Sequence, residues 1–343
     1  MVGPEWRPGG SGRFPRRAGA PLPAWRAGGS RRMTPPPKEK ERDVKGANMP
    51  QQSVPGKRIP VVPIVWEKQP IPQRVGLALG GGAARGLAHI GVLEVLEEYR
   101  IPIHCIAGTS AGALVGGLCA AGVSATRMRT LAENLNWRTI SSLSRPSLHL
   151  NARTASVMGL PLGILDLDRL IGWIEQVLGG SLTFDDLSIP FAAIATDIVS
   201  GEMIVMNQGP IAPAIRASCS VPGVFTPCRR EHRLLVDGGT VNNLPVAVVR
   251  QMGADYVISV DLLPAPQEQT REPRNMLEVA MVALYTLIRA SQMERPMADC
   301  TIAPAIAHIG LADLGAGQEL MAAGRAAAEA LMPTILQDLQ IQR

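Results

Sequence analysis

The alternation of apolar runs and helical periodicities along this chain predicts a layered α/β fold. Three observations carry the prediction. Short apolar runs of strand length recur at 74–80, 103–107, 191–196 and 256–261. Segments with apolar residues three and four apart lie between them, as with Leu87, Ile90, Leu93 and Leu96. Glycine-rich motifs stand where a run ends and a helical pattern begins.

Element by element, strands are expected at 74–80, 103–107, 191–196, 202–206, 234–236, 256–261 and 299–303. Helices are expected at 84–99, 111–121, 124–136, 167–178, 243–252, 275–294 and 317–331. Residues 137–165 lack periodicity, and a long irregular segment inside a domain often has a functional task such as capping a site. Residues 218–227 hold two prolines and Phe225, which suggests a stiff apolar pocket wall at Ser218, Pro222 and Phe225. The helix expected from about 275 has an uncharged run, 279–288, too short for the roughly 20 residues that cross a bilayer. A core helix is the favoured reading over a membrane-docking face.

The most informative stretch is Gly108-Thr109-Ser110-Ala111-Gly112, a G-x-S-x-G between the run at 103–107 and a small-residue helix. A sharp strand-to-helix turn leaves no room for side chains at Gly108 and Gly112 and pushes the serine hydroxyl into a cleft. The following helix directs free N–H groups and its positive dipole end at that oxygen. Upstream, Gly80-Gly81-Gly82-Ala83-Ala84-Arg85-Gly86 offers bare backbone N–H groups to an anion. Downstream, Asp237 ends a short apolar strand and is followed by Gly238 and Gly239. The three pieces suggest an anion cradle, a hydroxyl nucleophile and a carboxylate base.

Plainer readings stand beside these: a helix N-cap for Ser110, an Asp-Gly turn for Asp237, a dinucleotide-binding turn for the glycines. The last fits poorly. Arg85 stands where the third glycine of G-x-G-x-x-G would fall, and the run at 103–107 carries no acid.

With the three motifs in this order, the sequence resembles the patatin-like phospholipase family. The family's signatures are a G-G-G-x-x-[RK]-G loop, a G-x-S-x-G serine and a D-G-[GA] aspartate. The flanks are similar too: residues 217–227 resemble its A-S-x-[SA]-x-P-x-x-F-x-P segment, and 241–245 read V-N-N-L-P. The likeness runs from about Arg74 to the C-terminus. One departure is Ala83, where many relatives have a further glycine; alanine resists a positive φ.

The resemblance implies a three-layer α/β/α sandwich with a central mostly parallel sheet. It also implies a Ser–Asp dyad, with Ser110 as acyl-accepting nucleophile and Asp237 as base. The oxyanion loop would comprise Gly80, Gly81, Gly82, Ala83, Arg85 and Gly86. Amides of Gly81, Gly82 and Ala83 would be its donors, with Arg85 orienting the loop or adding charge. Substrates would be lipid or other acyl esters, with no cofactor and no metal. Bacterial members imply a cytoplasmic enzyme, or one held peripherally at the inner membrane face. Two alternatives remain. A histidine-assisted esterase in the order Ser, Asp, His has only His308 to draw on. A non-catalytic acyl-ligand sensor would not need all three motifs.

Composition bounds the rest. The chain has 343 residues, 46% of them apolar, enough for one sizeable core. Residues 1–50 hold 11 basic and 4 acidic residues, net +7, whereas the remainder holds 23 and 25, net −2. The basic balance therefore belongs to the N-terminal part, and nucleic-acid binding by the domain is not implied. Residues 1–72, rich in Pro, Gly and Arg, are expected to be a disordered basic tail without a signal-peptide core. Residues 73–343 would form the hydrolase domain, with a C-terminal helical part from about 267. Five widely spaced cysteines with no C-x-x-C pair fit a reducing compartment.

Overall fold

The computed structural model describes residues 73–144, 162–263, 272, 276–292 and 298–341. The expected N-terminal tail lies outside the described residues, as does the greater part of the irregular segment. The strands are β1 (Val75–Leu79), β2 (Ile103–Thr109), β3 (Ser142–Leu143), β4 (Gly163–Asp166), β5 (Phe191–Asp197) and β6 (Met203–Met206). They continue with β7 (Gly223–Phe225), β8 (Cys228–Arg230), β9 (Arg233–Asp237), β10 (Tyr256–Val260) and β11 (Cys300–Ile302). The helices are α1 (Ala88–Glu98), α2 (Ala111–Ala120), α3 (Ala125–Glu133), α4 (Trp137–Ile140) and α5 (Asp168–Leu178). After them come α6 (Ile211–Ser218), α7 (Gly239–Asn242), α8 (Val246–Gln251), α9 (Met276–Gln292) and α10 (Gly317–Asp338).

The main sheet runs β11-β10-β1-β2-β5-β9-β8, with β6 added on β5. Its first five strands are parallel neighbours, and β9, β8 and β6 are antiparallel. Period-2 alternation on the strands feeds two cores. Leu77 and Leu79 face the core shared with α1, α2 and α10, while Ala78, Cys105 and Ala107 face Val246, Val248 and Val249 of α8. Helices thus cover both faces, giving the three-layer α/β/α sandwich.

The register of β5 matters most for function. Ile194 pairs with Thr109 of β2, and the next residue, Ala195, pairs with Asp237 of β9. Both also pair with β6 on the other edge. Strand β9 therefore takes over the edge of β5 where β2 ends.

The expected elements are present with shifted ends, and further short elements stand between them. The helix expected at 243–252 is α8, which starts only after Pro245, and the short helix α7 before it was not expected. Helix α6 was not among the expected helices; its Pro213 stands at the third residue, where a missing N–H does no harm. Helix α10 continues through Pro333 to Asp338 instead of stopping at 331. The described ends of the irregular segment form α4, β3 and β4, and β3-β4-β7 make a second small sheet.

Helices α1 and α10 approach through glycines. A Cβ on Gly324 would lie 1.9 Å from the Ala88 carbonyl oxygen, and one on Gly91 would lie 1.9 Å from that of Met321. Gly324→Ala is expected to destabilise the domain by about 3 kcal/mol, because two backbones must separate. Gly172→Ala in α5, where a Cβ meets nothing within 4 Å, should instead stabilise by about 0.5–1 kcal/mol. Urea unfolding of the two variants checks the contrast.

Candidate active site

Ser110 stands between β2 and α2 with φ 54° and ψ −124°, a left-handed conformation that a side chain adopts at a cost of about 1–2 kcal/mol. The turn is closed by contact. A Cβ on Gly108 would lie 2.3 Å from the Gly112 carbonyl oxygen, and one on Gly112 would lie 2.2 Å from that of Leu79. The Ser110 amide donates to Ser218 Oγ at 2.9 Å, and Ser218 Oγ donates to the Ile194 carbonyl at 2.5 Å. The Ser110 carbonyl accepts from Ala113 and Leu114, starting α2.

Asp237 ends β9 one pairing step beyond Thr109. Its carboxylate lies beside the Ser110 hydroxyl in one pocket and accepts a hydrogen bond from the Gly239 amide at 2.8 Å. Its own amide donates to the Ser220 carbonyl at 2.9 Å. Burial pushes its pKa up to about 6, against the opposing effect of those two neighbours. Gly238 is required by proximity: a Cβ there would lie 2.3 Å from the Ile194 oxygen.

The glycine loop lies against the serine turn. A Cβ on Gly81 would come within 3.1 Å of Ser110 Cβ, and one on Gly86 within 2.3 Å of Ala111 Cβ. Gly80 and Gly81 amides are already engaged, by the carbonyls of Val260 at 3.0 Å and Asn243 at 3.1 Å. This corrects the expectation that Gly81 is free to donate to an oxyanion. Among the described residues, the amides of Gly82 and Ala83 have no protein acceptor. Ala83 adopts φ 50°, the conformation that alanine resists.

Three side chains hold this loop. Arg85, 5% exposed, donates from Nε to the Ile309 carbonyl at 2.9 Å and from Nη2 to that of Ala307 at 3.0 Å. Burial lowers its pKa. His89 is buried, and its ring Nε2 meets the Gly80 carbonyl at 2.8 Å, so the imidazole donates there. Burial lowers its pKa to about 4 and keeps it neutral. Asn243 donates to the Gly81 carbonyl at 3.2 Å. His89 carries no motif signature, and Asn243 lies in the V-N-N-L-P flank, to which sequence reasoning assigned no role.

The pocket around Ser110 and Asp237 is further lined by Val221, Pro222, Thr240, Asn243, Leu284, Tyr285 and Ile288. Of the expected wall, Pro222 lines it. Ser218 is fully buried beneath the nucleophile's backbone, and Phe225 packs on Trp137 with ring centroids 6.2 Å apart. Tyr285 and its neighbours on α9 were not expected here. His308 is exposed and pairs with Glu319 at 2.7 Å, away from this lining.

Fold and site together define an α/β protein with a serine at a strained strand-to-helix turn beside a buried carboxylate. The chain belongs to the patatin-like phospholipase family, whose sequence model matches residues 77–250. It is 40% identical over 189 residues to an uncharacterised NTE family protein of Mycobacterium tuberculosis, covering 55% of this chain and 49% of the relative. Human patatin-like phospholipase domain-containing protein 6 is 36% identical over 191 residues, covering 55% of this chain and 13% of that protein. The match thus spans half or less of these relatives' own length. Among solved structures, the ExoU–SpcU complex of the Pseudomonas aeruginosa type III secretion system aligns with TM-score 0.45 and 16% identity. That alignment covers 78% of this chain and 52% of that one. VipD from Legionella pneumophila aligns with TM-score 0.42 and 14% identity, covering 76% and 67%.

A raised pKa makes Asp237 a stability liability once ionised. Its contribution is fully present below the unfolded value near 3.8 and is lost as pH rises through about 6. Asp237→Asn is therefore expected to be more stable than wild type above pH 6, by roughly 2–3 kcal/mol, with the difference shrinking toward pH 4. Urea melts across that range measure it.

Proposed function

We propose that this protein is a lipid acyl hydrolase that cleaves carboxylic esters through a Ser110–Asp237 dyad. The observation that carries the reading is the Ser110 hydroxyl beside the buried Asp237 carboxylate in one pocket, next to two loop amides that have no protein acceptor among the described residues. Family membership supports lipid esters as the substrate class.

In the proposed reaction Asp237 accepts the Ser110 proton as Oγ attacks the ester carbonyl carbon. The carbonyl oxygen becomes an oxyanion held by the Gly82 and Ala83 amides. The carbon–oxygen bond to the alcohol then breaks, and Asp237 returns its proton to that oxygen. Water attacks the acyl-enzyme by the same route, releasing the acid and restoring Ser110. A carboxylate with an ordinary pKa is a weak base for a hydroxyl. Burial of Asp237 narrows that gap, and the dipole of α2 favours charge on the serine oxygen.

Turnover of phospholipids, lysophospholipids and short-chain esters tests the proposal. Ser110→Ala and Asp237→Asn should each lower kcat/KM by about 10³-fold or more, and His308→Ala should stay within about twofold of wild type. The wild-type kcat/KM should rise with pH along an acid limb centred near 6, where Asp237 ionises. Activity retained by Asp237→Asn, or lost in a folded His308→Ala, would contradict the dyad.

A further inference from the structure

Helix α9 has two apolar faces. One carries Leu284, Tyr285 and Ile288 into the pocket of Ser110 and Asp237. The other leaves Val279 and Leu287 52% and 69% exposed. No charged residue occurs from 279 to 288, and the next, Arg289, is tied to the Leu263 carbonyl. A helix that merely covers a core turns a charged or polar face outward. The expectation of a core helix therefore holds for one face of α9 only.

Further exposed apolar side chains lie on the β5–β6 hairpin. Helix α7 packs on α9, and Asn242 of α7 reaches Met203 Sδ at 3.2 Å. Met203 and Val205 on β6 are themselves exposed, and Val199 in the β5–β6 turn is 81% exposed. Exposed apolar side chains on the elements around a pocket mark an interaction site.

The pocket underneath is nearly shut. The free space among its lining residues is about 10 Å³, the room of one water molecule. An acyl chain can enter only if lining side chains move, and α9 supplies three of the nine lining residues. The element that must yield to substrate is the one whose outer face is apolar.

We propose that the outer face of α9, with the β5–β6 hairpin, docks flat on a lipid surface, and that docking draws α9 off the pocket. This inference rests on the hydrolase reading for its choice of occupant: the surface adjoins a pocket assigned to lipid esters. Charge agrees. Residues 51–343 carry net −2, so attraction to anionic headgroups is not the driving force, and burial of apolar side chains is. Spanning is excluded for α9, whose 17 residues reach only about 25 Å and include Glu278 and Arg289.

The test uses the full chain carrying Ser110→Ala, so that binding is read without hydrolysis. Flotation with phosphatidylcholine vesicles at high salt screens out the basic N-terminal residues. The Val279→Glu, Leu287→Glu pair should bind about tenfold or more weakly. In the Ser110 background, the same pair should lower turnover of vesicle lipid about tenfold while leaving p-nitrophenyl butyrate hydrolysis within about twofold. Val279→Ser with Leu287→Ser, checked for an unchanged thermal melt, should move both readouts in the same direction. Wild-type binding by these variants would overturn the proposal. So would a light-scattering dimer that the variants dissociate, with no vesicle binding by the unsubstituted face. Turnover by Ser110→Ala would instead sink the hydrolase reading, while leaving the flotation result to stand alone.

Discussion

Strand β5 accommodates two partners along one edge, and the site depends on where the exchange falls. Strand β2 occupies the edge up to the Ile194–Thr109 pair, and β9 takes over at Ala195–Asp237. The chain of β2 must leave the sheet at Ser110, because antiparallel β9 already fills the next position. That handover puts a hydroxyl and a carboxylate, 127 positions apart in sequence, side by side in one pocket. It also forces the turn in which Ser110 takes a positive φ.

The strain is held by bonds on several sides. The short stretch that ends α6 braces both residues, Ser218 through the Ser110 amide and Ser220 through the Asp237 amide. Arg216 anchors that stretch by donating to the Thr226 carbonyl and pairing with Asp166 of β4. Opposite, the glycine loop is fixed by His89, Asn243 and Arg85, whose partners Ala307 and Ile309 lie beyond the region matched by the family model. Those bonds hold Ala83 in a conformation that glycine would adopt freely, and among the described residues they leave the Gly82 and Ala83 amides without a protein acceptor.

Much of this was legible in the sequence. Glycines at 108, 112 and 238 report backbone contacts that no side chain survives, so the motif positions carry geometric information by themselves. The strand and helix periods carry the layers. What could not be read depends on three-dimensional neighbours. Ser218 looked like a wall residue because its segment is proline-rich, but α6 buries it under the nucleophile. The Gly81 amide looked free until Asn243, 162 positions away, supplied a carbonyl. An uncharged helix at 279–288 is compatible with burial or with a lipid surface, and only its exposure pattern separates the two faces.

The central claim is that ionised Asp237 activates Ser110. The rate at which a fluorophosphonate labels the protein measures that activation without any assumption about the natural ester. The account predicts a single adduct on Ser110, a labelling rate that climbs with pH around a midpoint near 6, and loss of that climb in Asp237→Asn. An adduct on another residue, or a pH profile that Asp237→Asn leaves unchanged, would contradict it.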